Sequence, residues 1–280
     1  MTTSSGARMR DAALPIRPDF ASPPIAELVL SVAFEPLPLG VVQLARVWET
    51  YRQLFPHVEE KPPYQMPLEQ FGQRPTRPAI SLELSESIPT PRLWFRDAAG
   101  AHLIQLQNNW FARNWRKVPE APDYPSYEEL STRFIDDLEK FKKFLKREGV
   151  PQPAFTQCEI TYIDHIEVRD DSPAGLSSVL SLVADPPDFP TRPEGQQIAS
   201  GYVIEHNQGP VGRLHVQANT AIRNSDGRDI VVLNLTARGM PISEGIRGVI
   251  AFQDLGREWA WNAFRAMTRS ELQESWRSGS

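Results

Sequence analysis

The residues best suited to chemistry are the histidines and the carboxylates beside them. His57, His102, His165, His206 and His215 are scattered, and none has the His-x-x-x-His or His-Glu spacing that gathers ligands around a metal. The most suggestive cluster is Asp164-His165 followed by Glu167. On a strand His165 and Glu167 share a face while Asp164 points to the other. With His206 or His215 from a neighbouring strand, they could converge into a metal or acid–base site, which would make the chain a hydrolase or lyase. The alternative is a set of hydrogen-bonded strand-end groups, since acid–base work requires convergent geometry. Nucleophile motifs are missing: there is no G-x-S-x-G elbow, and Cys158 falls on the apolar face of its segment, where a thiol is buried and inert. Gly209-Pro210-Val211-Gly212 reads as a hairpin, and Gly245 and Gly248 lack a phosphate-loop lysine. No cofactor is expected, and enzymatic chemistry is unsupported.

Binding chemistry is better represented. The stretch from Gln105 to Lys117 (QLQNNWFARNWRK) is too polar for an ordinary core strand and too aromatic for a loop. Read as one strand, it places Ile104, Leu106, Trp110 and Ala112 on one face and Gln105, Gln107, Asn109 and Arg113 on the other. A half-solvated strand would look the same, and the tryptophans could simply fill the core. As a binding surface, Gln105, Gln107, Asn109, Arg113 and Arg116 would supply hydrogen bonds and charge. From the second half of the chain, Gln157, Glu159 and His165 would occupy the corresponding face. Aromatics interleaved with arginines suit single-stranded nucleic acid, and tryptophan and arginine also favour protein interfaces. The formal net charge of −5 disfavours nucleic acid, because phosphate affinity needs surplus cations. The expectation is therefore a non-enzymatic protein that binds a protein partner through an exposed sheet face. A small apolar ligand held between sheet and helices is the alternative.

The elements that would position these residues are legible along the chain. Pro23-Pro24 closes a lead-in of about 22 residues expected to be disordered, and Ile25 to Phe34 follows as a strand. Val41 to Phe55 switches to helical spacing. Strand-like pieces fall at Tyr64 to Phe71, Ala79 to Leu84 and Arg92 to Arg96, and Asp97-Ala98-Ala99-Gly100 turns into the central stretch. Residues 126–148 carry the clearest helix, opened by a Ser126/Glu129 capping box and closed before Gly149 and Pro151. Its late lysines match the helix dipole and read as a solvated face. The second half runs strand (Phe155 to Val168), short helix (Gly175 to Val183), three strands (Ile198 to His206, Arg213 to Arg223, Ile230 to Arg238), long helix (Glu244 to Met267) and terminal turn.

Both halves, 23–149 and 150–280, thus read strand, helix, three or four antiparallel strands, long helix. The fold expected is α+β: duplicated units forming one long curved antiparallel sheet with helices on one face. The order resembles the TATA-binding-protein-like fold and, less closely, the helix-grip fold. Pro23-Pro24-Ile25-Ala26-Glu27, the QLQN and NWRK pieces, Tyr124-Pro125, Gln157 to Ile163 and the Phe264 to Trp276 ending together resemble a sporadically distributed, uncharacterised family of bacterial proteins. That resemblance implies a stand-alone cytoplasmic protein and brings no activity, cofactor or catalytic residue; patchy distribution is compatible with a defence or mobile-element accessory role.

Composition agrees with a folded protein. In 280 residues, 40% are hydrophobic and 23% charged, enough for a substantial core. The 26 prolines cluster where elements would join. One cysteine excludes an internal disulfide and suits a reducing compartment. No apolar run reaches the roughly 20 residues of a membrane span, and the first twenty residues lack a secretory apolar core. The oligomeric state is open at this level.

Overall fold

A computed structural model describes residues 20–72, 90–119, 124–168, 175–184, 191, 193–207 and 209–278. Among these residues the centre is a nine-stranded antiparallel sheet, joined by five helices. The first half supplies β1 (Ile25–Phe34), α1 (Val41–Glu49), β2 (His57–Lys61), β3 (Arg92–Arg96), β4 (His102–Gln107), β5 (Trp110–Arg116) and α2 (Tyr127–Arg147). The second supplies β6 (Phe155–Glu167), α3 (Leu176–Val179), β7 (Gln197–His206), β8 (Gly209–Ile222), β9 (Asp229–Gly239), α4 (Gly245–Met267) and α5 (Ser270–Ser278). The strand order is β2-β3-β4-β5-β1-β6-β9-β8-β7. The first strand of each half therefore lies at the centre, β1 against β6, and each half's remaining strands start at an outer edge and run inward, so that β5 returns beside β1 and β9 beside β6. None of the helices among the described residues is long and apolar enough to cross a membrane.

The helices form where periodicity demands them. In α2, Leu130, Phe134, Leu138, Phe141 and Leu145 recur at three- and four-residue spacing and are all buried. The Ser126 hydroxyl accepts the Glu129 N–H at 3.1 Å, closing the first turn. Gly149, at φ +68°, provides the left-handed exit.

Residues paired across neighbouring strands point to the same side of a sheet. One row is Arg113, Leu30, Ile160 and Ala237. On that side Arg113 meets Asp137 of α2, and Gly256 of α4 lies so close to Ile160 and Ala237 that a methyl group would stand under 3 Å from each. A continuous apolar cluster runs from Leu28 to Phe264 across both halves. Gly212 and Gly239 are paired, and a Cβ on either would collide with the Phe252 ring at 2.5–2.6 Å. These glycines let α4 settle onto the sheet.

Four expectations need correction. First, residues 104–113 are not one strand. They form a hairpin that turns at Asn108-Asn109, with Gln107 opposite Trp110. Reversal of the chain puts Trp110 and Ala112 on the same side as Gln105 and Gln107, and sends Arg113 to the other. Second, Tyr64 to Phe71 forms no strand; it crosses the sheet as an extended segment, described below. A short strand at 57–61, unforeseen, precedes it. Third, residues 20–22 of the expected disordered lead-in are packed. The Phe20 ring sits 5.1 Å from Trp261 and 5.9 Å from Trp276, and the Ser22 N–H donates to the Trp276 carbonyl. Fourth, the first helix is shorter than its apolar stripe, ending at Glu49 in a series of turns. The strand expected at Ala79 to Leu84 lies outside the described residues.

Candidate functional site

The sheet side carrying the amides is crossed by the chain itself. Gln105, Ala112, Ser31, Glu159, Arg238 and Arg213 form one row of that side, and Gln107, Trp110, Ala33 and Gln157 form the next. Residues 62–72 run over them. Gln107 accepts the Tyr64 N–H at 2.8 Å and donates to the Tyr64 carbonyl at 3.3 Å. Gln157 repeats the arrangement, accepting from the Glu69 N–H at 2.8 Å and donating to the Pro67 carbonyl at 2.9 Å. A side-chain amide offers one acceptor and two donors, so each glutamine stands in for a neighbouring strand. The Tyr64 ring packs 4.8 Å from Trp110. Glu69 then fastens the far end, pairing with Arg213, with His215 at 2.5 Å and with Arg238 at 3.7 Å. Burial raises the Glu69 carboxyl, but the hydrogen bond from His215 and the charges of His215, Arg213 and Arg238 outweigh it and hold it below the usual range.

The residues expected to bind a partner are thus largely engaged. Gln105, Gln107, Gln157 and Glu159 are buried. Gln105 donates to Asn114 at 2.8 Å, and Glu159 accepts from Arg238 at 2.6 Å. Asn109, in the hairpin turn, accepts from Gln107 at 2.9 Å. Arg116 donates to the Gly100 carbonyl at 2.8 Å and secures the β3–β4 turn. Arg113, on the opposite side, forms a buried 2.6 Å ion pair with Asp137, whose backbone carbonyl also accepts the Tyr51 hydroxyl. His165 is half-buried on the amide side, with its backbone N–H donating to the Pro24 carbonyl; burial and the nearby Arg223 lower its affinity for a proton.

The acid–base cluster does not assemble. Glu167 is paired with Arg223 at 2.7 Å and Arg228 at 2.9 Å. His215 belongs to the Glu69 clasp. It pairs with Thr236, whereas His165 pairs with Val232, four residues along the same strand and hence roughly 13 Å away. His206 ends the edge strand β7. Among the described residues no group of three His, Cys, Asp or Glu side chains could hold a metal. Cys158 is buried and its thiol is pushed well up by burial.

A concave site lies on the other side of the sheet. A cavity of about 430 Å³ opens where the ends of β1, β5 and β6 meet the N-terminus of α2 and the middle of α4. Phe20, Ile25, Trp115, Leu235, Trp261 and Phe264 supply its apolar wall. Its polar groups include Tyr124, Tyr127, Tyr162, Asp164 and Arg257, and Lys117 and Glu128 also line it. The helices are clasped over it: the Tyr127 hydroxyl donates to Asp254 at 2.7 Å, and Arg257 pairs with Glu128 at 2.6 Å while stacking 4.3 Å from the Tyr127 ring. The strand β1 bulges between Ile25 and Glu27, which re-aims Pro24 and Ile25 at the cavity mouth.

Asp164 is the unusual member. It occupies the alternation of Cys158, Ile160, Tyr162 and Ile166, which points toward the helices, and is only 2% exposed. Burial alone pushes its carboxyl from an ordinary 3.8 up to about 7. Tyr124 and Tyr162 interact through their hydroxyls, and burial drives both phenols upward. The signal for Asp164 was present in the sequence: a carboxylate in phase with the apolar residues of a strand has to be neutral, paired or functional.

No protein-family model matches this chain, and no curated protein matches it.

Proposed function

We propose that this protein binds a small molecule in the cavity between α2, α4 and the central strands, as helix-grip proteins do. The observation that carries the reading is a drug-sized concavity with aromatic walls and convergent polar groups, the usual form of a ligand site. On this reading the chain is a duplicated α+β scaffold of TATA-binding-protein-like order, related to the sporadically distributed bacterial family its motifs resemble. The strand order supports duplication, because each half contributes a central first strand and a meander that runs from the sheet edge back to it. The helices would then share one face, the cavity lying beneath their crossing.

The cavity reading is tested by filling the space. Ala260, a buried lining residue, replaced by tryptophan should abolish thermal stabilisation by compounds that stabilise the parent. A broad library of amphipathic compounds with no member stabilising the parent would contradict it.

A protein partner is the second reading, favoured by β7. This strand is one edge of the sheet, and it exposes Tyr202 and Val203; an unpaired edge can accept another strand. Tyr202→Lys should then weaken partner capture without changing the melting temperature.

A further inference from the structure

Among the described residues, three buried or nearly buried carboxylates beside the sheet are paired with cations. Asp137 has Arg113, Glu159 has Arg238, and Glu69 has Arg213 and His215. Asp164 has no such partner. Among the described residues, no donor or cation bonds to its carboxyl, and its burial is opposed by no compensating charge. Of the cations lining the cavity, Arg257 is held by Glu128 and the Tyr127 ring, and Lys117 is exposed to solvent. A lone carboxylate in an apolar strand phase is costly to fold. Its position at a cavity offers what a closed core does not, a place for the missing partner to come from outside.

The chemistry of the wall agrees. Phe20, Trp115, Tyr124, Tyr162 and Trp261 line the cavity, and aromatic faces attract cations through their quadrupoles. Carboxylate plus aromatic rings is the recognition chemistry of ammonium groups. We infer that the ligand carries a protonated amine on an apolar body, with the amine seated against Asp164. This inference rests on the cavity being a ligand site and names the class of ligand it takes.

The test uses three probes with one body on the full chain: 4-phenylbutylamine, 4-phenylbutan-1-ol and 4-phenylbutyrate, titrated by calorimetry at pH 7.5. The amine should bind at least tenfold more tightly than the alcohol, and the carboxylate should not bind. Asp164→Asn should bring the amine down to the alcohol's affinity and leave the alcohol unchanged. Ala260→Trp should block both. Equal binding of amine and alcohol to the parent would overturn the amine inference while leaving the cavity reading standing. Amine binding that survives Ala260→Trp would place it elsewhere and overturn the inference. Failure of all three probes on the parent would count against both. The parent's amine-to-alcohol ratio decides the question even if Asp164→Asn folds poorly.

Discussion

Asp164 shows how one side chain can be read from its phase. Its carboxyl binds protons more tightly folded than unfolded, so the sign of its contribution is set. Stability is full below the unfolded value near 3.8 and is lost as pH rises through about 7. The neighbouring Tyr124, Tyr127 and Tyr162 stay neutral throughout that window, since burial moves all three upward. Asp164→Asn should therefore raise stability at pH 8 by on the order of 4 kcal/mol, and by nearly nothing at pH 4. Urea titrations of both proteins at the two pH values check this; an equal difference at both would contradict it. Arg113 teaches the opposite lesson. Its type suggested a surface contact, but the turn at Asn108-Asn109 sends it into the core against Asp137. Breaking one side of such a buried pair leaves an unmatched charge, so Asp137→Ala should cost about 3–5 kcal/mol. Asp137→Ala with Arg113→Leu should cost clearly less than the sum of the singles, a double-mutant cycle being the measurement. The turn was hard to foresee because neither asparagine is a glycine and the flanking residues alternate smoothly through it. Asp164, by contrast, was legible, and was hidden only by its attractive neighbour His165.

At the scale of elements, long periodic segments were readable and the crossing segment was not. The strand Ile25–Phe34 and the helix Tyr127–Arg147 fall where their spacing and caps put them. Residues 62–72 have the alternation of a strand but pair through side chains: the amides of Gln107 and Gln157 take up backbone groups that a neighbouring strand would otherwise bond. No local pattern distinguishes those two situations, because the difference lies in residues 40 to 90 positions away. The same amides that advertised a binding face are the ones that close it. Glu69 sets the strength of this closure. Its carboxyl is depressed on balance, so its contribution is complete above the unfolded value near 4.5 and disappears as pH falls through the lower folded one. Glu69→Gln should lower stability by about 1–3 kcal/mol at pH 7. The gap in melting temperature should shrink toward zero as pH falls to 3; a gap that persists there would contradict the assignment.

For the molecule as a whole, the two halves are joined where each is most buried. The central strands β1 and β6 pair along nearly the whole of β1, and one apolar cluster spans both sides of that seam. The cavity draws its wall from both halves as well, Trp115 and Tyr124 from the first, Tyr162 and Arg257 from the second. Heating should therefore give one calorimetric transition whose calorimetric and van't Hoff enthalpies agree; two resolved transitions would contradict a shared core. The mixed α+β class with one large antiparallel sheet was visible in the sequence because it is carried by periodicity and turn residues. The cavity was not, because it depends on how the N-terminus of α2 meets α4, a matter of long-range packing. Whether the cavity holds a small molecule is decided by native mass spectrometry of the protein purified without detergent from its own host. The spectrum should show an additional small-molecule mass that is released on denaturation and is missing from Ala260→Trp; a bare chain in both preparations would rule out a resident ligand.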